Sequence, residues 1–363
     1  MGAHPSAASH VVLDGKEINL IDLLQENPEE SLGISCAKEF GSLPFLFKLL
    51  AAAKPLSIQA HPTLEQAEEG WKRENDEGLD LNSPLRNYKD SNHKPEILCA
   101  MSPFKALCGF RQINEISSLL SLLDNAALQE ACETLKRPNS KDALSGFLTA
   151  LFKMPRATRF QFCQDVRAKA AALQIKDAEH ADVWAMVQSL SLVYPEDPAI
   201  IAPLYLNVLN LLAGQAIYLP AGILHAYVEG FGVELMAASD NVLRGGLTTK
   251  HIDLAELQKV LSFEPYYPKI LGPAPLDLDR YTYQSPSKEF SLTVLRSTKK
   301  NVEINEGEPH IIVVTEGTAS LKDDSGIEIE LAQGESALIL ASSKKPRLSG
   351  TFQAYDASLG SSR

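Results

Sequence analysis

The segment GQAIYLPAGILHAYVEG, residues 214–230, gives the clearest indication of the fold. Its glycines, proline and histidine are spaced as G-x5-P-x-G-x2-H, and His225 is the last residue of the pattern. Glycine and proline favour sharp backbone turns, and Gly222 stands just before His225 in the sequence. A single histidine in an apolar strand is more often a satisfied core residue. The turn-forming residues around His225 favour instead a histidine that serves a binding site.

A second polar pattern occurs upstream, in LSIQAHP at residues 56–62. Successive side chains of a β-strand point to opposite faces. The apolar residues of this segment therefore lie on one face, and Ser57, Gln59 and His61 lie on the other. Alternation alone is typical of any half-exposed strand. The meaning of the polar face thus depends on what else points at it.

The segment NHKPEILCAM, residues 92–101, carries a third set of polar side chains. Lys94 and Glu96 share one face if the segment is extended, and Pro95 favours an extended backbone at Lys94. His93 then points to the opposite side. This segment therefore predicts a strand that begins with a lysine and a carboxylate facing the same site.

The three segments together offer two imidazole nitrogens, one carboxylate and one amide oxygen, from His61, His225, Glu96 and Gln59. Such a mixed nitrogen and oxygen set suits Zn²⁺, and it leaves an open position for water or substrate. We therefore predict one zinc ion per chain.

Charged and polar residues are dense in GVELMAASDNVLRGGLTTKHID, residues 232–253, close in sequence to His225. The glycine pair at 245–246 permits close approach of the backbone. Dense charge next to apolar strands favours a ligand pocket over a solvated face. The side chains concerned are Glu234, Asp240, Asn241, Arg244 and Lys250.

The periodicity of apolar residues divides the chain into four parts. Residues 1–110 alternate as strands, with a helix in NLIDLLQENP that ends at Pro28. Residues 111–200 carry apolar residues at helical spacing and predict a helical insertion. Strand character returns over 201–287, followed by a helix at 253–261 and a proline-rich connector. Residues 288–363 predict a second, smaller β unit.

The composition excludes several classes of protein. The chain has 363 residues, of which 45% are hydrophobic and 22% charged, as in folded proteins of two or three domains. A net charge of −12 argues against nucleic-acid binding, which needs clustered lysine and arginine, so an anionic ligand requires a local positive pocket. Five cysteines without a C-x-x-C pair favour the reducing cytoplasm. We find no apolar run of membrane-spanning length or signal-peptide pattern, and no sign of an obligate protein partner.

Four segments resemble, in the right order, the signature segments of type I mannose-6-phosphate isomerases, also called phosphomannose isomerases. They are FLFKLLAAAKPLSIQAHP, NYKDSNHKPEI, LPAGILHAY and MAASDNVLRGGLTTKHID. The spacing before His225 is also similar to the second motif of the cupin superfamily, in which the histidine enters a β-barrel and holds a metal. The resemblance implies a mainly β fold with an α-helical insertion and cupin-type jelly-roll domains.

The resemblance also implies an activity and its residues. It implies a zinc-dependent aldose–ketose isomerase that interconverts mannose 6-phosphate, a small hexose phosphate, and fructose 6-phosphate. The metal ligands of the family fall on Gln59, His61, Glu96 and His225, and its essential arginine falls on Arg244.

Moving a proton between C1 and C2 through an enediol needs a base near the carbons and positive charge near the oxygens. Zinc with Arg244 can stabilise the developing oxyanion, or the metal can mainly orient the sugar. The candidates for proton transfer, unranked, are Lys94, Glu234, Asp240 and His93. The candidates for phosphate contact are Ser57, Lys48 and Lys250, with Arg244 possible in both roles.

Two features depart from the family pattern and keep alternatives open. The family usually has a further segment with a YAWG-like motif before MGAHP, whereas this sequence begins there, which suggests a truncated chain or a misassigned start. The alternatives are thus a truncated, non-catalytic sugar-phosphate-binding cupin protein or another metal-dependent cupin enzyme. An H-x-H pair would favour the latter, and this chain has Q-x-H. The C-terminal unit has Gly334 but no histidine at the matching place, so we expect it to be metal-free.

Overall fold

The computed structural model describes residues 1–13, 15–298 and 300–360. The chain starts with a hairpin and three short helices: β1 (His10–Leu13), β2 (Lys16–Asn19), α1 (Leu20–Glu26), α2 (Pro28–Leu32) and α3 (Ile34–Phe40). Asn19 caps α1 by accepting a hydrogen bond from the backbone N–H of Ile21. Pro28 is the first residue of α2, where a missing N–H costs nothing. The helix predicted before Pro28 is present as α1.

The first large sheet has nine strands, and all of its pairs are antiparallel. The strands are β3 (Phe45–Ala52), β4 (Gln59–Ala60), β5 (Glu96–Ala100), β6 (Phe104–Phe110), β7 (Leu206–Leu211), β8 (Ala216–Leu219), β9 (His225–Ala237), β10 (Leu243–Arg244) and β11 (Ile270–Leu271). Strand β9 pairs with β3, β4, β5 and β6, so it joins both parts of the sheet. The helix α4 (Leu64–Asp76) follows β4, and Thr63 and Gln66 form a capping box at its start.

The helical insertion lies between β6 and β7, as the change of periodicity predicts. Its helices are α5 (Ile113–Leu123), α6 (Gln129–Thr134), α7 (Ser140–Phe152), α8 (Arg156–Lys176), α9 (Ala181–Val193) and α10 (Ala202–Tyr205). Short 3₁₀ turns connect them at Ala126–Leu128, Ala178–His180 and Pro198–Ile201. The helix predicted at 253–261 is present as α11 (Leu254–Val260). None of the described helices combines the length and apolarity needed to cross a membrane.

The second sheet has eight strands, again paired antiparallel. They are β12 (Ala274–Pro275), β13 (Arg280–Tyr283), β14 (Ser291–Thr298), β15 (Val302–Glu303), β16 (His310–Lys322), β17 (Glu328–Ala332), β18 (Ser336–Ile339) and β19 (Arg347–Ser358). The long strand β16 pairs with β17, β18 and β19.

The second sheet starts at Ala274, 14 residues before the boundary predicted at residue 288, and the division into domains stays a prediction. The segment interpreted as a connector contains a hairpin. Asp277 makes its turn, because its carboxylate accepts hydrogen bonds from the backbone N–H groups of Asp279 and Arg280. The proline-rich composition indicated the turn but concealed the two short strands on either side of it.

Two hydrophobic clusters cross the predicted boundaries. One joins buried residues of the helical insertion to residues of the first sheet and its loops, including Ile58, Leu107 and Leu224. The other joins helices α1 to α3 to both sheets, with Phe45 on one side and Tyr283 on the other. The four parts of the chain are therefore packed through shared cores.

Candidate metal centre

Three buried side chains from distant parts of the chain meet at one point in the first sheet. His61, Glu96 and His225 each place one ligand atom within 4.8 Å of the others. The carboxylate of Glu96 lies between the rings: Oε1 is 3.4 Å from His61 Nε2, and Oε2 is 3.5 Å from His225 Nε2. Two nitrogens and a carboxylate in this arrangement can hold a metal ion.

The turn before β9 brings these residues together. Gly222 has a φ of 78°, a conformation that costs glycine little and other residues more. Its N–H donates to the backbone carbonyl of His61 at 2.9 Å, so the turn docks directly on one of the three residues. His225 is the first residue of β9 and Glu96 the first of β5. The function inferred for the glycine and proline residues from the sequence is thus consistent with the structure.

Strand pairing adds two more predicted site residues. Gln59 in β4 pairs with His225 on one side and with Arg244 in β10 on the other. The Gln59 amide nitrogen is 3.4 Å from His225 Nε2. An amide flip exchanges the nitrogen and oxygen of such a side chain in place, and presents an oxygen ligand instead. Two of the three side chains on the polar face predicted in LSIQAHP, Gln59 and His61, therefore reach the cluster, although only Gln59 and Ala60 belong to a regular strand.

Backbone carbonyls fix the orientation of both imidazole rings. The carbonyl of Asn241 accepts from His61 Nδ1 at 2.7 Å, and the carbonyl of Ile223 accepts from His225 Nδ1 at 2.9 Å. Each ring therefore carries its proton on Nδ1 and turns the lone pair of Nε2 towards Glu96. His61 Nε2 is buried and has no hydrogen-bond partner among the described residues. An unsatisfied lone pair of this kind fits a metal ligand.

The charges in the cluster favour metal binding. Burial lowers the pKa of His61 to about 4, so its ring is neutral near neutral pH. Burial opposes ionisation of Glu96, but the neighbouring Lys94 holds the pKa of its carboxyl well below the usual range. A neutral His61 imidazole and an ionised Glu96 carboxylate are protonation states that suit the binding of a divalent cation.

Two lysines at the site form ion pairs with carboxylates. Lys94 is only 8% exposed, and its Nζ lies 3.2 Å from Glu96 Oε1, so the two side chains share a face as predicted. Lys48 pairs with Glu234 across β3 and β9, with a distance of 2.9 Å between Nζ and Oε2. Burial lowers the pKa of Lys48, but Glu234 raises it by more.

The remaining predicted residues are spread around the site. The Arg244 guanidinium is half-buried, which lowers its pKa, and it forms no hydrogen bond or ion pair with any residue that the structure describes. Asp240 is partly exposed and accepts a hydrogen bond from Ser6. Ser57 is half-buried on the segment that leads to Gln59.

Two candidates point away from the cluster. Lys250 lines a separate cleft of about 700 Å³ against the helical insertion, together with Arg156 and Arg159. His93 turns towards the second sheet, where its Nε2 lies 2.6 Å from Glu289 Oε1. The roles proposed for both residues stay predictions.

The sequence did not reveal the structural role of Asn241, which is completely buried. Its side-chain oxygen accepts from the N–H groups of Lys89 and Asp90, and its amide nitrogen donates to the carbonyls of Asp90 and Asn92. Asn241 therefore fixes the loop before β5 while its own carbonyl orients His61. Another unpredicted contact is Tyr227, whose hydroxyl donates to Glu96 at 3.4 Å. The polar runs SDN and KDSN were the only indication of these contacts.

Comparison with known proteins identifies the family. The model of the type I phosphomannose isomerase catalytic domain matches residues 1–113. The chain is 37% identical over 356 residues to the mannose-6-phosphate isomerase of Salmonella typhimurium, covering 97% of this chain and 88% of that protein. The chain belongs to the type I phosphomannose isomerase family. The human family member is 34% identical over 309 residues, covering 80% of this chain and 70% of that protein.

Solved structures of the family confirm the predicted fold class. A mutant phosphomannose isomerase from Salmonella typhimurium has a TM-score of 0.90 at 34% identity, covering 99% of this chain and 90% of that chain. A zinc-bound mannose 6-phosphate isomerase has a TM-score of 0.88 at 35% identity, with the same coverage. The mainly β, cupin-like architecture with inserted helices is therefore shared along nearly the whole chain.

Proposed function

We propose that this chain is a zinc-dependent aldose–ketose isomerase that interconverts mannose 6-phosphate and fructose 6-phosphate through an enediol. The observation that carries the proposal is the buried cluster of His61, Glu96 and His225, in a family whose members are named for this activity. Lys94 adjoins that cluster, and Arg244, which has no side-chain partner among the described residues, pairs through its strand with Gln59.

The donor set supports zinc as the metal. Gln59, His61, Glu96 and His225 would hold the ion through nitrogen and oxygen atoms, and His61 Nε2 has no hydrogen-bond partner in the part of the chain that the structure describes. When bound, zinc supplies a positive charge that polarises or orients oxygens of the sugar.

A side chain of the protein has to supply the base for the proton transfer. We propose that the base that moves the proton between C1 and C2 is one of Lys94, Glu234 and Asp240 rather than His93, because the His93 ring is directed at Glu289. Lys94 and Glu234 are buried and already hydrogen-bonded or ion-paired, whereas Asp240 is partly exposed. A buried base is shielded from water, which protects an enediol from exchange with solvent.

We expect the phosphate and the sugar oxygens of the substrate to be bound by positively charged and polar side chains. Arg244 has five N–H donors and no partner within the described part of the chain, so it can hold a phosphate or two sugar oxygens. Lys48 forms an ion pair with Glu234, Ser57 lies two residues before Gln59, and Lys250 lines the separate cleft. We propose Ser57, Lys48 and Lys250 as phosphate contacts.

The proposal is tested by a coupled assay on mannose 6-phosphate with purified, zinc-loaded protein. We expect turnover that disappears on chelation and returns with added zinc, and no turnover of mannose 1-phosphate as the matched control. Binding of mannose 6-phosphate without turnover by folded, zinc-loaded protein would instead support the non-catalytic alternative. Oxygen consumption would support a different cupin enzyme.

We further propose that the protein works in the cytoplasm. All five cysteines are free thiols, and four of them are buried, which suits a reducing compartment. Fractionation of cells that express the full chain tests this location.

A further inference from the structure

The loop before β5 is hydrogen-bonded through His93 to the loop between β13 and β14 of the second sheet. His93 Nε2 lies 2.6 Å from Glu289 Oε1, and Glu289 Oε2 accepts a hydrogen bond from Ser287 Oγ at 2.5 Å. Glu289 is 12% exposed and His93 is 27% exposed, so water reaches this pair only partly. The C-terminal unit thus reaches the residue that immediately precedes Lys94.

The charge state of this contact is well defined. Burial tends to raise the pKa of Glu289, but the hydrogen bonds from His93 and Ser287 lower it to about 2. Glu289 is therefore a carboxylate at any pH at which the protein works. Hydrogen bonds to an ionised acceptor are stronger and more directional than those between neutral groups.

The rest of the loop is held from the first sheet. Asn241 binds the carbonyls of Asp90 and Asn92, and the carbonyl of Pro95 accepts from the N–H of Ala237 at 3.0 Å. Residues 93 and 94 lie between these two anchors. Within the described part of the chain, the His93 ring has its hydrogen bond to Glu289. Glu289 therefore supplies the side-chain anchor for this part of the loop.

We propose that Glu289 is a positioning residue for the isomerisation: it holds His93 and thereby fixes the backbone from which Lys94 reaches Glu96. This inference rests on the proposed function. Lys94 Nζ must remain at 3.2 Å from Glu96 Oε1 at the edge of the metal cluster. A shift of about 1 Å in such a group can lower a rate by about 100-fold. The C-terminal unit thus acts on the chemistry without supplying a catalytic residue.

The test is a double-mutant cycle on purified, zinc-loaded protein with mannose 6-phosphate. We expect Glu289→Ala to lower kcat by about 10- to 100-fold, with KM and zinc content close to those of the parent. His93→Ala should have a similar effect, and the double variant should be no worse than either single variant, because both remove the same contact. Glu289→Gln keeps an acceptor for His93 and should recover part of the rate. Glu328→Ala removes an exposed ion pair in the same sheet and is the control, with parental kinetics expected.

The possible failures are distinguishable. Folded, zinc-loaded parent protein without turnover defeats the proposed function itself. An active parent with unchanged kcat in Glu289→Ala, or additive effects in the double variant, overturns the positioning role. A fall in kcat that merely follows loss of zinc or of folded protein also overturns it. If Glu289→Ala does not fold, Glu289→Gln and His93→Gln complete the cycle.

Discussion

At the scale of single residues, Arg244 differs from the other charged groups of the site. Lys94 and Lys48 already have carboxylate partners, whereas the half-buried Arg244 has none among the described residues. A cation that has lost part of its hydration without gaining a partner favours an incoming anion. The substrate supplies such an anion in its phosphate or in the developing oxyanion.

We expect Arg244→Lys to lower kcat by about 100-fold or more while zinc content stays intact. An ammonium cannot hold two oxygens in the fixed geometry of a guanidinium, so transition-state stabilisation is lost. Steady-state kinetics and metal analysis on the same preparation measure both quantities. Arg347→Lys, at a surface ion pair with Asp324, is the control. An increase in KM alone would assign Arg244 to substrate binding, and no change in either constant would remove it from the site.

The ligand assignment is tested by metal content. His61→Ala and His225→Ala should each lose most of their zinc, because removing one ligand of a small set weakens a site severely. His180→Ala, at the helical insertion and paired with Asp177, should keep its zinc. Full zinc retention in both ligand variants would refute the assignment.

The grouping of Gln59, His61, Lys94 and Glu96 was predictable from the sequence, since alternation along an extended backbone orients these side chains without tertiary information, while their roles stay predictions. The role of Asn241 was not predictable. Its contacts join distant segments of the chain, with a sequence separation of 151 between Asp90 and Asn241. A side chain that satisfies backbone groups so far away leaves no local pattern in the sequence.

At the scale of elements, local signals predicted helices better than short strands. The apolar spacing of α5 matches its buried face, which consists of Ile116, Leu119, Leu120 and Leu123. Strands β12 and β13 were missed because two and four residues are too few for alternation to be visible. Their hairpin depends on the Asp277 turn and on pairing with β14, which periodicity does not reveal.

A buried ion pair joins β16 and β19 and makes their pairing pH-dependent. His310 is 1% exposed, and its Nδ1 lies 2.9 Å from Asp356 Oδ1. Burial lowers the pKa of His310, but Asp356 and then Glu308 raise it by more, so the folded-state pKa is above that of the unfolded chain. The resulting stabilisation is complete below the unfolded pKa of about 6.5 and is lost as pH rises through the folded pKa.

We therefore expect the free energy of unfolding to contain a contribution that decreases from about pH 6 to about pH 9. Urea unfolding of the parent and of Asp356→Asn at both pH values measures it. The variant should be less stable at the lower pH, and the difference from the parent should shrink at the higher pH. A difference that grows with pH would contradict the assignment.

At the scale of the whole molecule, periodicity separates the chain into parts that the structure packs together. The helical insertion shares a core with the first sheet, and helices α1 to α3 share one with both sheets. Sequence patterns identify the type of each part but not which apolar faces meet. The division into domains is for this reason still a prediction, apart from the start of the second sheet at Ala274.

We expect the C-terminal unit to supply shape, stability and the Glu289 contact, but no catalytic group. Its histidine, His310, forms an ion pair with Asp356. The metal-ligand cluster found in the described residues belongs to the first sheet. His310→Ala should keep turnover within a few-fold of the parent under conditions in which it is folded. A loss beyond about 100-fold, or about 2.7 kcal/mol, would show that the unit takes part in the chemistry.

The position of the helical insertion between β6 and β7 also sets the order of events on the ribosome. Gln59, His61 and Glu96 are synthesised before the insertion, and His225 follows it, 166 residues after Gln59. At ordinary rates of translation the delay between Glu96 and His225 is on the order of ten seconds. Helices with local contacts can fold in that time, whereas strand β9 and the last imidazole are still missing. The nascent chain therefore cannot bring His225 to His61 and Glu96 until the whole helical insertion has been synthesised.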